Sequence, residues 1–148
     1  MKRILVLVLI IVVLSGCHSK ELMSNELHVD QIEERGKLDP AVQEFIQFNE
    51  DTNGTHLYFY NKEIIYIFLN EVNVLNGEKP YEITNFNVEG VKDILNIFVE
   101  TKQSNKGYSE SIPNSLIYEI TLDHAYDSID VVKNGKETSL TSVSGSGN

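Results

Sequence analysis

The sequence predicts an α+β fold that is mostly β, with one N-terminal helix packed on a small antiparallel sheet or sandwich of about six strands. Three observations carry this expectation. From Thr55 onward apolar residues recur with period two, as in HLYFY (56–60), EIIYIFL (63–69) and SLIYEITL (115–122). Asn-Gly and Pro breaks divide these runs at intervals of roughly ten residues, the spacing of a small sandwich. One segment, DPAVQEFIQFNE (39–50), instead repeats at three and four residues.

The chain begins with Lys2-Arg3 and then an apolar run of 11 residues, Ile4 to Leu14. As a helix that run rises about 16 Å, short of the ~30 Å hydrocarbon core, so it fits the h-region of a secretory signal better than a spanning helix. Leu14-Ser15-Gly16-Cys17 follows, and it holds the one cysteine of the chain. These four residues resemble the lipobox of bacterial lipoproteins. The resemblance covers residues 1–17 and implies cleavage between Gly16 and Cys17, with a diacylglyceryl group on the Cys17 sulfur. It also implies a membrane partner through that anchor, on the extracytoplasmic face of the cell membrane. Multiple acyl chains suffice for stable anchoring. On this reading 1–16 is a removed signal peptide, and Cys17 is neither a nucleophile nor a metal ligand.

Residues 18–38 are polar with scattered apolar positions, which suits a flexible, solvated tether from the lipidated Cys17 (17–38). A loose helix around Leu27 to Glu34, stopped by Gly36, is the alternative. The folded domain is expected at 39–141. Asp39 can cap the helix that follows, and Pro40 at its first position loses nothing, since that N–H has no helical partner. Val42, Phe45 and Ile46 form one apolar stripe that should dock on a sheet.

Asn61-Lys62 reads as a two-residue hairpin turn between the first two strands. In the second, Ile64, Tyr66 and Phe68 alternate with Ile65, Ile67 and Leu69, so both faces are apolar and the strand should be central. YEITNFNV (81–88) changes parity between Ile83 and Phe86, which indicates a bulge near Asn85. ILNIFVET (94–101) puts Leu95, Ile97 and Val99 on one face. Residues 103–114 read as a long loop. SLIYEITL sets Leu116, Tyr118, Ile120 and Leu122 inward, with Ser115, Glu119 and Thr121 on the wet side. SIDVVK and KETSL flank Asn134-Gly135, a strong hairpin signal. The Ser/Gly-rich end (142–148) should be disordered.

Function is less legible. A formal charge of −10 argues against nucleic acid as a partner, because phosphates would be repelled; it suits a partner carrying cations. With one cysteine no internal disulfide forms. No nucleophile elbow, zinc-protease helix motif, Walker loop or dinucleotide turn is present, and no cofactor is implied. NEDTNG (49–54) partly imitates a calcium loop, but Tyr60 stands where the bidentate carboxylate belongs, and a helix end followed by a turn explains it as well. Asp123, Asp127 and Asp130 match no loop pattern, so no metal site is assigned.

The aromatic residues are the remaining lead. Tyr58, Tyr60 and Tyr66 fall with matching parity on neighbouring strands: such a row fills a core, or forms a contact surface for a protein partner where it is exposed. The order of strand, Gly77-Glu78-Lys79-Pro80 loop, Tyr81-x-Ile83 and later strands is similar to the C-terminal domain of the protease-complex subunit PrcB family. Those domains carry a Thr-Gly-Gly-Tyr run, whereas Lys79-Pro80-Tyr81 lacks the Thr and both glycines. That resemblance would imply a non-catalytic role beside a surface protease. The expected function is therefore a lipid-anchored binding or accessory protein rather than an enzyme, with an envelope hydrolase or a structural envelope protein as alternatives.

Overall fold

A computed structural model describes residues 27–105 and 111–146. The signal-peptide and Cys17 assignments lie outside the described residues. The described residues form one helix, a single 3-10 turn (Arg35–Lys37) and nine strands in two mixed sheets. In chain order the elements are β1 (His28–Gln31), α1 (Pro40–Asn49), β2 (Gly54–Phe59), β3 (Ile64–Asn70), β4 (Tyr81–Val91), β5 (Ile94–Gln103), β6 (Ser115–Thr121), β7 (Ser128–Lys133), β8 (Lys136–Thr138) and β9 (Ser142–Gly145). The mostly-β class with one helix is as expected. A five-stranded sheet runs β1-β6-β3-β2-β9 and a four-stranded sheet β4-β5-β7-β8. Among the described residues no helix is long and apolar enough to cross a membrane.

The helix forms where its caps dictate. Asp39 Oδ1 accepts from the Ala41 N–H at 2.9 Å, and Pro40 occupies the first turn. Its stripe of Val42, Phe45 and Ile46 is buried, while Phe48 points away and is almost fully exposed. That stripe packs on Tyr58, Tyr66, Phe68 and Ile117, which share one face of the five-stranded sheet. The other face presents Leu57, Ile65, Ile67, Leu69 and Ile120 to Ile83, Val88, Leu95, Ile97, Val99 and Val131 of the second sheet. The molecule thus has three layers: helix, sheet and sheet. β3 lies in the middle of the central layer and is covered on both sides, which is why its sequence is apolar at every position from Ile64 to Leu69.

Local details follow the sequence in several places. The β4–β5 register shifts between Ile83 and Asn85, the expected bulge. Asn134 (φ 52°) and Gly135 (φ 74°) make the tight β7–β8 turn. Lys133 reaches across to the buried Glu71 carboxylate beyond β3, tying the two sheets at one edge.

Other expectations need correction. The segment 17–38 is not tether throughout: Leu27 packs on the core and β1 pairs antiparallel with β6, Val29 opposite Ile120, so these residues belong to the folded body. The end of the chain is not wholly disordered, since β9 pairs parallel with β2, Val143 opposite Leu57. Each of these edge strands is held by a ladder to a distant segment rather than by its own propensity. The β2–β3 connection is longer than two residues: Tyr60 and Asn61 N–H both donate to the Ile64 carbonyl, and Asn61 Oδ1 accepts from Glu63 and Ile64 N–H. The outer side of β6 is not wet, because Ile117 is buried under the helix and Glu119 is half-buried. The pairing is also less uniformly antiparallel than expected: besides β2–β9, β5 and β7 run parallel, because β6 between them belongs to the other sheet.

Candidate functional site

The helix covers only part of the sheet face beneath it. It spans ten residues, roughly 15 Å at 1.5 Å per residue, and its N-terminus stops at Asp39 beside Tyr60. Between the β1–α1 connection and the sheet an open groove of ≈ 590 Å³ remains. Tyr60, Tyr66, Asp39 and Glu119 line it, together with Glu33, Glu34 and Lys37 from the connection.

Two phenol–carboxylate pairs form its floor. Tyr66 O–H donates to Glu119 Oε2 at 2.5 Å, and Tyr60 O–H donates to Asp39 Oδ2 at 3.4 Å. The two rings meet edge to face, 5.9 Å between centroids. Burial and then the Glu119 bond raise the Tyr66 phenol far above its ordinary range. The Asp39 charge is the largest cause raising Tyr60. Both hydroxyls therefore stay protonated and hold their carboxylates in place by donating to them. The groove holds four carboxylates against one ammonium, Lys37, whose Nζ is paired with Glu34 at 2.8 Å. Such a surface suits a cation: carboxylates supply charge and the Tyr60 ring an electron-rich face.

The sequence-derived tyrosine row is thus divided by the structure. Tyr58 is buried against Phe45, ring centroids 5.2 Å apart, and belongs to the core. Tyr66 is buried as a ring but lines the groove through its edge and hydroxyl; Tyr60 is half-buried and lies open to it. Gly16 and Cys17 lie outside the described residues. Sequence pattern alone does not single out Asp39 or Glu119 as site residues. Asp39 has a sufficient role as a helix cap, and the alternation of β6 assigns Glu119 to the solvent side. The signal that could have found Glu119 is Ile117, two residues earlier on the same face.

His56 and His124 are engaged elsewhere. His56 is fully buried, stacked on Phe68, with Nδ1 2.9 Å from Ser142 Oγ and Nε2 donating to the Thr52 carbonyl at 3.0 Å. Ser142 Oγ lies 2.9 Å from Asn49 Oδ1, so this Ser–His contact fastens β9 to the helix end. His124 places Nδ1 2.9 Å from Asp123 Oδ1 and Nε2 3.0 Å from the Lys92 carbonyl. The calcium-like segment is likewise consumed locally. Asn49 Nδ2 donates to Phe45 O at 2.8 Å, and Asn53 exchanges two hydrogen bonds with the Asn73 backbone. Among the described residues no group of three or more potential metal ligands converges. No protein-family model, curated protein or solved structure matches this chain.

Proposed function

We propose that this protein is a lipid-anchored extracytoplasmic lipoprotein with a non-catalytic binding role, and that its acidic tyrosine groove receives a cationic segment of a protein partner. Anchoring rests on Leu14-Ser15-Gly16-Cys17 behind a short apolar run. Binding rests on one observation: the Tyr60–Asp39 and Tyr66–Glu119 pairs sit in an open groove with four carboxylates and one ammonium. The partner supplies Lys or Arg side chains, and none of the groove's chemistry requires a nucleophile or cofactor.

Two experiments test the two halves. Cys17→Ser should move the protein from the membrane fraction to the soluble fraction, or leave it unprocessed with its signal attached. Membrane association at unchanged mass would refute the anchor. For the groove, a fluorescent lysine-rich peptide should bind the protein in a salt-sensitive manner while a glutamate-rich peptide does not. Glu119→Gln should weaken that binding by about tenfold, the loss of one charge-assisted contact worth ~1.5 kcal/mol. Unaltered binding by the variant would remove the groove from the proposal.

A further inference from the structure

The chain enters the folded body at one end of the sandwich, and that end carries an apolar opening. His28 stands opposite Thr121, Thr121 opposite Ile64, and Phe59 opposite both Ile65 and Gly145. The β4–β5 and β6–β7 connections reach the same end, where Asp127 N–H donates to Asp93 O at 2.8 Å. There Phe59, Leu122, Ala125 and Tyr126 give a groove of ≈ 350 Å³ its apolar lining, with Asn61, Lys62 and Ser146 as its polar members. It continues the inter-sheet core, against which Leu122 and Tyr126 pack. Phe59, Val91 and Ile94 are each more than a third exposed at this end.

Exposed apolar side chains also stand at the opposite end, at Val72 and Leu75, so exposure alone does not separate the two. The course of the chain does. Nine residues, 18–26, separate Cys17 from Leu27, which already packs on the inter-sheet core. Fully extended, the chain from Cys17 to Leu27 reaches at most roughly 36 Å, at ~3.6 Å per residue. The seven residues of β3 run about 23 Å at ~3.3 Å each. The chain joins the body at the Phe59 end, so a bilayer at that end is reached directly, whereas a bilayer at the Leu75 end would require the connection to double back along the body and spend most of its reach.

The geometry points to the Phe59–Leu122–Ala125 groove as a lipid-contact surface, seated at the headgroup–acyl boundary of the bilayer to which Cys17 is attached. This inference rests on the lipoprotein reading of Cys17. Lys62 and Lys92 share this end with Glu63, Asp93, Asp123 and Asp127, an acidic balance that anionic headgroups would repel. The contact is therefore apolar and favours zwitterionic lipid. The anchor keeps the local lipid concentration high, so a small surface suffices. The Leu75 end is then held away from the bilayer.

Because Cys17 is the sole cysteine and its sulfur is consumed by the lipid thioether, an introduced cysteine offers one labelling site in the intact lipidated chain. Ala125→Cys and Leu75→Cys, both at exposed positions, would carry a polarity-sensitive fluorophore in phosphatidylcholine vesicles. Acyl-chain spin-labelled lipid should quench the label at 125 several-fold more than the label at 75, and aqueous iodide should show the reverse order. Equal quenching, or stronger lipid quenching at 75, overturns the proposed orientation. A label at 125 shielded from both quenchers means that protein fills the groove, and overturns it too. Vesicle flotation separates the two levels. Protein that floats without the 125 preference refutes this contact alone, whereas protein that stays at the bottom refutes the anchor on which it rests.

Discussion

Ser142→Ala tests whether the C-terminal strand is part of the body, and its cost follows from counting protons. The Ser142 hydroxyl stands 2.9 Å from Asn49 Oδ1 and 2.9 Å from His56 Nδ1. Asn49 Nδ2 already donates to Phe45 O, so its oxygen is the atom facing Ser142. His56 donates from Nε2 to Thr52 O, so the neutral ring presents a lone pair at Nδ1. One hydroxyl proton thus faces two acceptors and satisfies one at a time. Its removal loses a single bond and leaves one more buried acceptor unpaired than before, about 1–3 kcal/mol rather than twice that. His56 is 0 % exposed and Asn49 5 %, so solvent does not replace the bond. In urea unfolding followed by circular dichroism, a slope of ~1–3 kcal/mol per molar turns this into a midpoint lower by about 1 M at unchanged slope. Ser144→Ala is the control. It lies on the same strand, exposed and without a side-chain hydrogen bond, and should cost less than about 0.5 kcal/mol. Equal midpoints for the two variants would refute both the β2–β9 pairing and the proton count.

Gly90→Ala places a methyl group 2.1 Å from the Tyr126 hydroxyl, which donates to Asp123 Oδ1 at 2.6 Å. The ring turns outward and loses that bond, ~1.5–3 kcal/mol, against a gain of ~0.5–1 from alanine in a strand, for a net destabilisation of about 1–2 kcal/mol. Urea unfolding should show that loss, and should show it reduced when Gly90→Ala is made on a Tyr126→Phe background. His56 and His124 should titrate in opposite senses. Burial lowers His56 below 6.5, against the opposing Thr52 hydrogen bond, so its stabilisation is present above pH 6.5 and is lost as pH falls through the lowered value. At His124 desolvation is outweighed by the Lys92 carbonyl and the Asp123 and Asp93 carboxylates, which raise it. Its stabilisation is complete below pH 6.5 and is lost as pH rises through the raised value; His124→Gln should flatten that alkaline decline, and ring-proton NMR should show the two midpoints on opposite sides of 6.5.

What was legible in the sequence is what short-range patterning controls. The Asp39-Pro40 start and the Val42, Phe45, Ile46 stripe need only helix geometry, and the position of β3 follows from apolar residues at both parities. The bulge near Asn85 shows as a parity change, and the β7–β8 turn as Asn134-Gly135. β1 and β9 were illegible for a physical reason. HVDQ and SVSG carry one valine each, and neither alternates for long enough to register. Their order comes from ladders closed with β6 and β2, contacts about ninety residues apart in sequence, which no local window contains.

The groove was half legible for a related reason. Parity put Tyr58, Tyr60 and Tyr66 on one face, and that was correct, but parity says nothing of what covers the face. A helix of ten residues cannot cover it all. Its buried stripe lies over Tyr58, Tyr66 and Phe68, and its N-terminus ends beside Tyr60, so coverage fails where Asp39 and Glu119 stand. Both carboxylates are thereby placed twice over. Asp39 must sit at the helix start to cap it, and Glu119 must lie two residues from Ile117 to share the covered face. The acidic groove is the remainder left when a short helix closes a longer sheet. A longer helix starting before Asp39 would bury Tyr60 and remove the groove, without changing any residue of the sheet.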